Sequence, residues 1–415
     1  MNSTGIDGQE TAITLHQQTI QTLWQAAVRA GFPAAIWRLP NRTEKELIMD
    51  TSGTVGTVGL DLEELPMGFA VSPFLNPDGE HTIFLRADLY WRFDEDGNVV
   101  EEQSKVPSDH PALRRFSEEL TTPKSKKPSA VRVVESSALD QDRFEEGVGR
   151  AIRRIEREEF RKVVLSRTKT VRFAEPPEIP ALFNRLCNAY PNAFVSAVYL
   201  PDRNQVWMGA SPERLVSVDA QGIFRTVALA GTQSAYDSEG KPKRPSEALW
   251  SQKEIEEQAL VCRYIIGCFK KIRLREYVEE GPRTVVAGNL MHLRTDYSVD
   301  TQAVNFPQLG TVMLRLLHPT SAVCGMPREA AQSFILEQEP HQREFYSGFL
   351  GPINIRRSQG TESHLFVNLR CLKLEGQEAT LYAGAGLTED SVPAREWRET
   401  ELKCDTLLDV IREKS

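Results

Sequence analysis

The stretch Gly384-Ala385-Gly386-Leu387-Thr388-Glu389-Asp390-Ser391-Val392-Pro393 limits this chain's fold more than any other. It reads as a strand end, a glycine turn, and a helix opening near Ser391 with Pro393 in its first turn. Proline has no N–H and a fixed φ, so it is tolerated only where the first helical N–H groups lack intrahelical partners, and Ser391 is placed to cap one of them. On that helix Glu396, Glu399 and Lys403 stand at i, i+3 and i+7 and share one face. Two acids and a base in register are either a solvated ion-paired face or part of a site. The glycines in front, which let backbone approach a ligand, favour looking for a site.

Upstream, the pattern is strands and helices in irregular order. Residues 11–31 carry an apolar stripe at helical spacing, and extended runs follow at 34–39, 46–49 and 68–75. A hairpin is expected over 81–101 through Asp94-Glu95-Asp96-Gly97-Asn98. The lysine-rich TTPKSKKP at 121–128 reads as a linker or exposed loop, and 140–160 as a helix. RKVVLSRTKTVRF, 161–173, is β-branched and partly alternating, as a half-buried strand should be. A helix at 179–190, strands at 193–200 and 205–210, a pair around 214–230 and a long helix from 245 to about 272 complete the reading. Short strands without a regular βαβ alternation predict an α+β (mixed α/β) body with large mixed or antiparallel sheets.

With 58 acids against 50 lysines and arginines, the net charge of −8 excludes a general nucleic-acid surface. A small anionic substrate therefore needs a local basic pocket. The six cysteines are scattered without a C-x-x-C pair, so neither a disulfide framework nor a zinc site is expected. No apolar run approaches the ~20 residues of a membrane span, and no signal pattern opens the chain, so a cytoplasmic protein with no membrane partner is expected.

Lys162 sits beside Val163, Val164 and Leu165. It is either a gatekeeper with its head in water or a buried amine whose pKa burial lowers, able to take a proton from water. Glu213, just beyond a strand in Ser211-Pro212-Glu213-Arg214, is a candidate general acid, and Leu229-Ala230-Gly231-Thr232 a small-residue loop suited to cradle a ligand. Glu254 and Glu257 repeat the spacing of Glu396 and Glu399, and two such pairs suit one hard cation such as Mg²⁺. Arg370, in the extended run 365–374, and Lys403 are placed to neutralise a carboxylate. His318 reads as structural, while His292 stays open. Gly384-Ala385-Gly386 as a phosphate loop would make the chain a nucleotide binder, but no third glycine stands at the required offset.

In this order FRKVVLSR, GASPERL, ALAGT, KEIEEQALV, GNLMHL, LHPTSAVCGMPR, EQEPHQREFYSGFLG, LYAGAG and EWRETELK resemble the chorismate-utilising enzymes. That group holds isochorismate and salicylate synthases and the large chains of anthranilate and aminodeoxychorismate synthases. The resemblance covers roughly 143–408. It implies a large β-sandwich core flanked by helices, like the anthranilate synthase large chain, with the site between the sheets. It divides the chain into 1–135, an N-terminal α/β portion completing the core, and 136–415, the chorismate-binding catalytic region.

Carried over by position, the resemblance makes Lys162 the base on water and Glu213 the acid on the ring hydroxyl. Glu257 and Glu399 become direct Mg²⁺ ligands with Glu254 and Glu396 in support. Ala230, Gly231, Thr232, His292, Glu339, Arg370, Tyr382, Gly386 and Lys403 become substrate-binding residues, and Arg343 a supporting one. Aminodeoxychorismate synthases typically carry lysine where Ala230 stands, and anthranilate synthases glutamine where Lys162 stands, so a water-using branch is implied. Arg343-Glu344-Phe345-Tyr346 resembles the isochorismate synthase form, serving quinone or siderophore synthesis; a salicylate synthase, which goes on to eliminate pyruvate, would use nearly the same residues. A monomer acting on chorismate without an amidotransferase subunit is expected. Two positions depart from the family pattern: Gln258 replaces the usual histidine and Gln233 a frequent arginine.

Overall fold

The computed structural model describes residues 18–120, 131–133, 138–237, 239–287 and 290–412. The linker reading at 121–128 and residues 11–17 of the expected first helix lie outside them. That helix is described over Ile20–Ala30. Thr19 accepts the N–H of Thr22 at its start, and Gly31, left-handed at φ 67°, closes its end onto Ala27 and Val28.

Among the described residues the strands form two large antiparallel sheets of eleven and ten strands. In the first, Lys162–Phe173 pairs with Glu378–Leu387, followed by Cys371–Glu375, Gln205–Ser211, Phe194–Leu200 and Ala34–Arg38. The second runs from Val278–Ala287 through Leu290–Asp300, Ile223–Ser234, Arg214–Val218, Gly360–Val367 and Phe349–Ile353 to Gly68–Ser72. Residues 34–38 and 68–72 enter different sheets, so the first third of the chain builds the same sandwich as the rest.

Period-2 alternation sorts the side chains into layers. Ala35 and Trp37 face the second sheet, while Ala34 and Ile36 face the helical layer that includes Leu23 and Trp24. Between the sheets the Phe194 and Phe366 rings stack with centroids 4.2 Å apart. On the far face of the second sheet Phe224 and Tyr297 pack against Val261, Ile265 and Phe269 of the helix Gln252–Lys271. The order is therefore helices, sheet, sheet, helices. This is the sandwich the sequence implied, with the strand pairs among the described residues antiparallel rather than mixed.

Four local readings change. Gly384, Ala385 and Gly386 are not a turn: they lie inside the strand Glu378–Leu387, paired with Ser166, Leu165 and Val164. Ser391 does not cap the helix Pro393–Arg412; its hydroxyl accepts the N–H of Thr388 at 3.1 Å and closes the turn that follows the strand. Pro245–Glu247 is a separate 3₁₀ turn, and the long helix begins after Ser251, whose N–H is accepted by Glu254 at 2.7 Å. Finally, the hairpin through 94–98 joins Leu89–Phe93 to Val99–Ser104, while Thr82–Arg86, buried at four of its five positions, belongs to the other sheet.

The chain passes between the sheets at two neighbouring points that matter for chemistry. Pro212-Glu213 links Gln205–Ser211 in the first sheet to Arg214–Val218 in the second, and 368–370 returns from Gly360–Val367 to Cys371–Glu375. The crossings are tied together: the Glu213 carbonyl accepts from Val367 N–H at 3.0 Å and the Arg370 carbonyl from Ala210 N–H at 3.1 Å. No helix among the described residues is long and apolar enough to cross a membrane.

Candidate active site

A cavity of about 60 Å³ between the sheets is lined by Lys162, Glu213, Ala230, Gly231, Thr232, Glu257, His292, Arg370, Gly386, Glu399 and Lys403. A cavity of about 730 Å³ on the outer side, between Trp24 and the 174–180 segment, is larger but holds none of these groups. Chemistry, not size, therefore identifies the site.

Lys162 opens its strand at 1% exposure, which rules out the gatekeeper reading. Its Nζ stands 2.9 Å from Oε1 of Glu257. Glu257 comes from the second turn of the helix Gln252–Lys271. Burial would raise its carboxyl, but the Lys162 ammonium, with Lys403 and Lys253, outweighs that and holds it below the ordinary value. Across the sandwich the face predicted for Glu396, Glu399 and Lys403 turns inward. Lys403 donates to Glu399 at 2.6 Å and to the Gly384 carbonyl at 2.7 Å. Glu396, 1% exposed, takes Lys253 at 2.5 Å, and its Oε2 is buried without a hydrogen-bond partner.

Glu213 is 4% exposed. Burial pushes its carboxyl up to about 7, against the pull of Arg370, Lys162 and Lys403. That value suits a group that must give up a proton near neutrality. Arg370, read from the sequence as mid-strand, instead has a left-handed backbone (φ 49°) at the second crossing. His292 is held neutral: burial, then Arg370, drives it down to about 3, despite the Gly231 carbonyl 2.8 Å from Nδ1. That carbonyl can only accept, so Nδ1 carries the proton and the bare Nε2 faces Arg370 at 3.5 Å.

Glycine is required at two places here. Gly231 stands at φ 68° in the bulge of Ile223–Ser234, where pairing shifts between Ala230 and Gln233. The expected loop is thus a bulge within a strand. At Gly386 a Cβ would strike Oε1 of Glu257 and crowd Lys162 Cε at 3.2 Å. The obstacle is a side-chain tip, so Gly386→Ala is expected to cost the fold only about 1–3 kcal/mol. Displacing the Glu257 carboxylate by ~1 Å should lower turnover by about 10²-fold. Thermal melts and steady-state rates on one preparation check both.

Five predicted residues do not line the cavity. Glu339 lies behind it, accepting from Ser166 N–H (2.7 Å) and Arg343 Nη2 (2.5 Å), while Arg343 also donates to the Val164 carbonyl at 2.7 Å. This pair anchors the strand that carries Lys162. Tyr382 is packed in the core, its ring stacked between Tyr346 (5.3 Å) and Trp207 (5.5 Å). Glu254 is occupied with Ser251 and Glu396 with Lys253. The departures from the family pattern also stay outside: Gln258 donates to Ala228 O (3.3 Å) and Thr295 Oγ1 (3.0 Å), and Gln233 to Leu249 O (3.3 Å). Sequence reasoning missed Val164, Ala322, Leu369 and Gly384 as lining residues. Gly384 alone had a signal, its two-residue spacing from Gly386 on one strand face.

His318, read as structural, is so: its Nε2 lies 3.2 Å from the Pro73 carbonyl and its ring stands edge-on to Phe349.

Lys162 and Glu213, buried beside two further cations and two further acids around one cavity, are the groups that acid–base chemistry on a small anionic substrate needs. A family model described as chorismate binding enzyme matches residues 80–412, and the chain belongs to that family. It is 30% identical to isochorismate synthase EntC of Escherichia coli (strain K12) over 74% of this chain and 76% of that protein. The fold is shared with the menaquinone-specific isochorismate synthase MenF of Escherichia coli (TM-score 0.74, 24% identity, 94% of this chain and 91% of that one). It is also shared with anthranilate synthase component I of Streptococcus pneumoniae TIGR4 (TM-score 0.61, 20% identity, 83% and 81%).

Proposed function

We propose that the chain is an isochorismate synthase: it adds water at C2 of the chorismate ring, shifts the double bonds and expels the C4 hydroxyl. The observation that carries this reading is Lys162 and Glu213 on one cavity, both buried, with the Glu213 carboxyl raised to about 7. Lys162, once its ammonium beside Glu257 has given up a proton to solvent, takes a proton from the attacking water, and the C2–O bond forms as the C4–O bond breaks. Glu213 protonates the departing hydroxyl, which leaves as water. Arg370 and Lys403 hold the substrate carboxylates, Arg370 through its planar fork. Because one hydroxyl position is exchanged for another, the reaction is near thermoneutral and reversible, with the two proton carriers exchanging roles in reverse.

Besides Glu213, Glu257 and Glu399 are the carboxylates on the cavity wall, and no group of three or more His, Cys, Asp or Glu gathers as a cage among the described residues. An open pair of acids suits Mg²⁺, which binds through one or two carboxylates and a substrate anion while keeping several waters. When bound, the ion would neutralise and orient a substrate carboxylate. Glu254 and Glu396 support from behind, through Ser251 and Lys253. Since Lys162 activates water, no amidotransferase partner is needed.

The test is incubation of the protein with chorismate, with and without Mg²⁺, followed by separation of products by mass. An isomer of unchanged mass, reaching a plateau short of completion and falling at least about tenfold after chelation, is expected. Equimolar salicylate and pyruvate would make the chain a salicylate synthase, and no turnover would defeat the reading.

A further inference from the structure

Glu213 faces the catalytic cavity, but the next residue, Arg214, lines a separate cavity of about 290 Å³. The two share Pro212 and Leu229 as a common wall, so they are one residue apart. At its other end this second cavity is bounded by the exposed Asn41 and Asn192. It therefore places exposed residues and Arg214 on one cavity, beside the general acid.

Its charge is unbalanced. Arg225 has Asp219, and Arg283 and Arg294 share Asp296, but Arg214 has no ion-pair partner among the described residues. Its Nε is buried without a hydrogen-bond partner. Burial first, then the like charges of Arg294 and Arg225, push the guanidinium down to about 10, so it is still a cation at neutral pH. A half-buried cation whose Nε is buried without a partner costs stability unless an anion satisfies it. A guanidinium fork in a cavity of this size suits a carboxylate.

We propose that Arg214, with Arg294 at its side, forms a second carboxylate-binding site, a vestibule that captures the dianionic substrate before it enters the catalytic cavity. The loading role rests on the proposed reaction; the anion site does not. Arg214→Met keeps the length and apolar stem and removes the charge. The KM for chorismate should rise about tenfold while kcat changes less than about twofold, and the melting temperature should not fall, because a charged group with a buried, unpartnered Nε has gone.

Calorimetric titration with malonate, an unreactive dicarboxylate, reads the site without turnover. Wild type should bind it, Arg214→Met should bind at least about tenfold more weakly, and Arg214→Lys should recover part of the difference. Weakened malonate binding with an unchanged KM would overturn the loading role. Unchanged malonate binding would overturn the site itself, and so would a lowered melting temperature in Arg214→Met with no recovery in Arg214→Lys, which would make Arg214 structural.

Discussion

Lys162→Ala is expected to lower chorismate turnover by about 10²–10⁴-fold, the usual contribution of a positioned base. Lys162 is 1% exposed and its amine sits 2.9 Å from Glu257, so neither bulk water nor a surface lysine takes its place. The substitution also acts on Glu257. Without the ammonium the largest influence holding the carboxyl down is lost, and it rises from its lowered value. Breaking such a buried pair typically costs about 3–5 kcal/mol, so loss of fold must be separated from loss of base. Lys162→Arg makes the separation: it keeps the charge beside Glu257 but does not give up its proton near neutrality. Both variants should lose turnover, whereas only the alanine variant should lose much stability. Rates and melts on the same samples decide it, and a Lys162→Arg enzyme at wild-type turnover would remove Lys162 from the chemistry.

Glu213→Gln carries the second large effect, about 10²–10⁴-fold in kcat with little change in KM, because the amide keeps the shape and gives no proton. The pH dependence identifies the group independently. A carboxyl raised to about 7 is protonated below that value, so forward kcat/KM should fall as pH rises through about 7. The exchange takes up and releases no net proton, so its equilibrium does not move with pH and the reverse kcat/KM should follow the same profile. Stability follows the same proton. The unfolded carboxyl titrates near its ordinary 4.5, so the folded state binds the proton more tightly between about 4.5 and 7. The stabilisation is complete below the unfolded value and is lost as pH rises through about 7. Glu213→Gln should flatten that part of the stability profile, measured by denaturant unfolding at stepped pH. An unaltered slope would assign the titration elsewhere.

The vestibule bears on the same residue pair. Glu213 and Arg214 are consecutive, and the backbone alternation at a sheet crossing sends one to the catalytic cavity and the other to its neighbour. One tetrapeptide, Ser211-Pro212-Glu213-Arg214, thus serves two cavities.

The sequence by itself determined the composition of the site. Residue types and helical spacing named Lys162, Glu213, Glu257, Glu399, Lys403 and Arg370, all of which line one cavity. Strand periodicity likewise predicted the sheets, because alternation is a local consequence of the pleat. What a local pattern does not contain is where an element is buried and against what. The glycines at 384 and 386 look like a turn, yet they are strand residues kept small by Tyr346 and Glu257, which come from distant parts of the chain. Glu339 and Tyr382 carry the right chemistry for a binding site, but ion pairing to Arg343 and ring stacking in the inter-sheet core withdraw them from it. Arg370 sits at a crossing because its neighbours pair with different sheets, a long-range fact. Only the tertiary structure decided these positions, since desolvation and ion pairing depend on contacts that spacing along the chain does not encode.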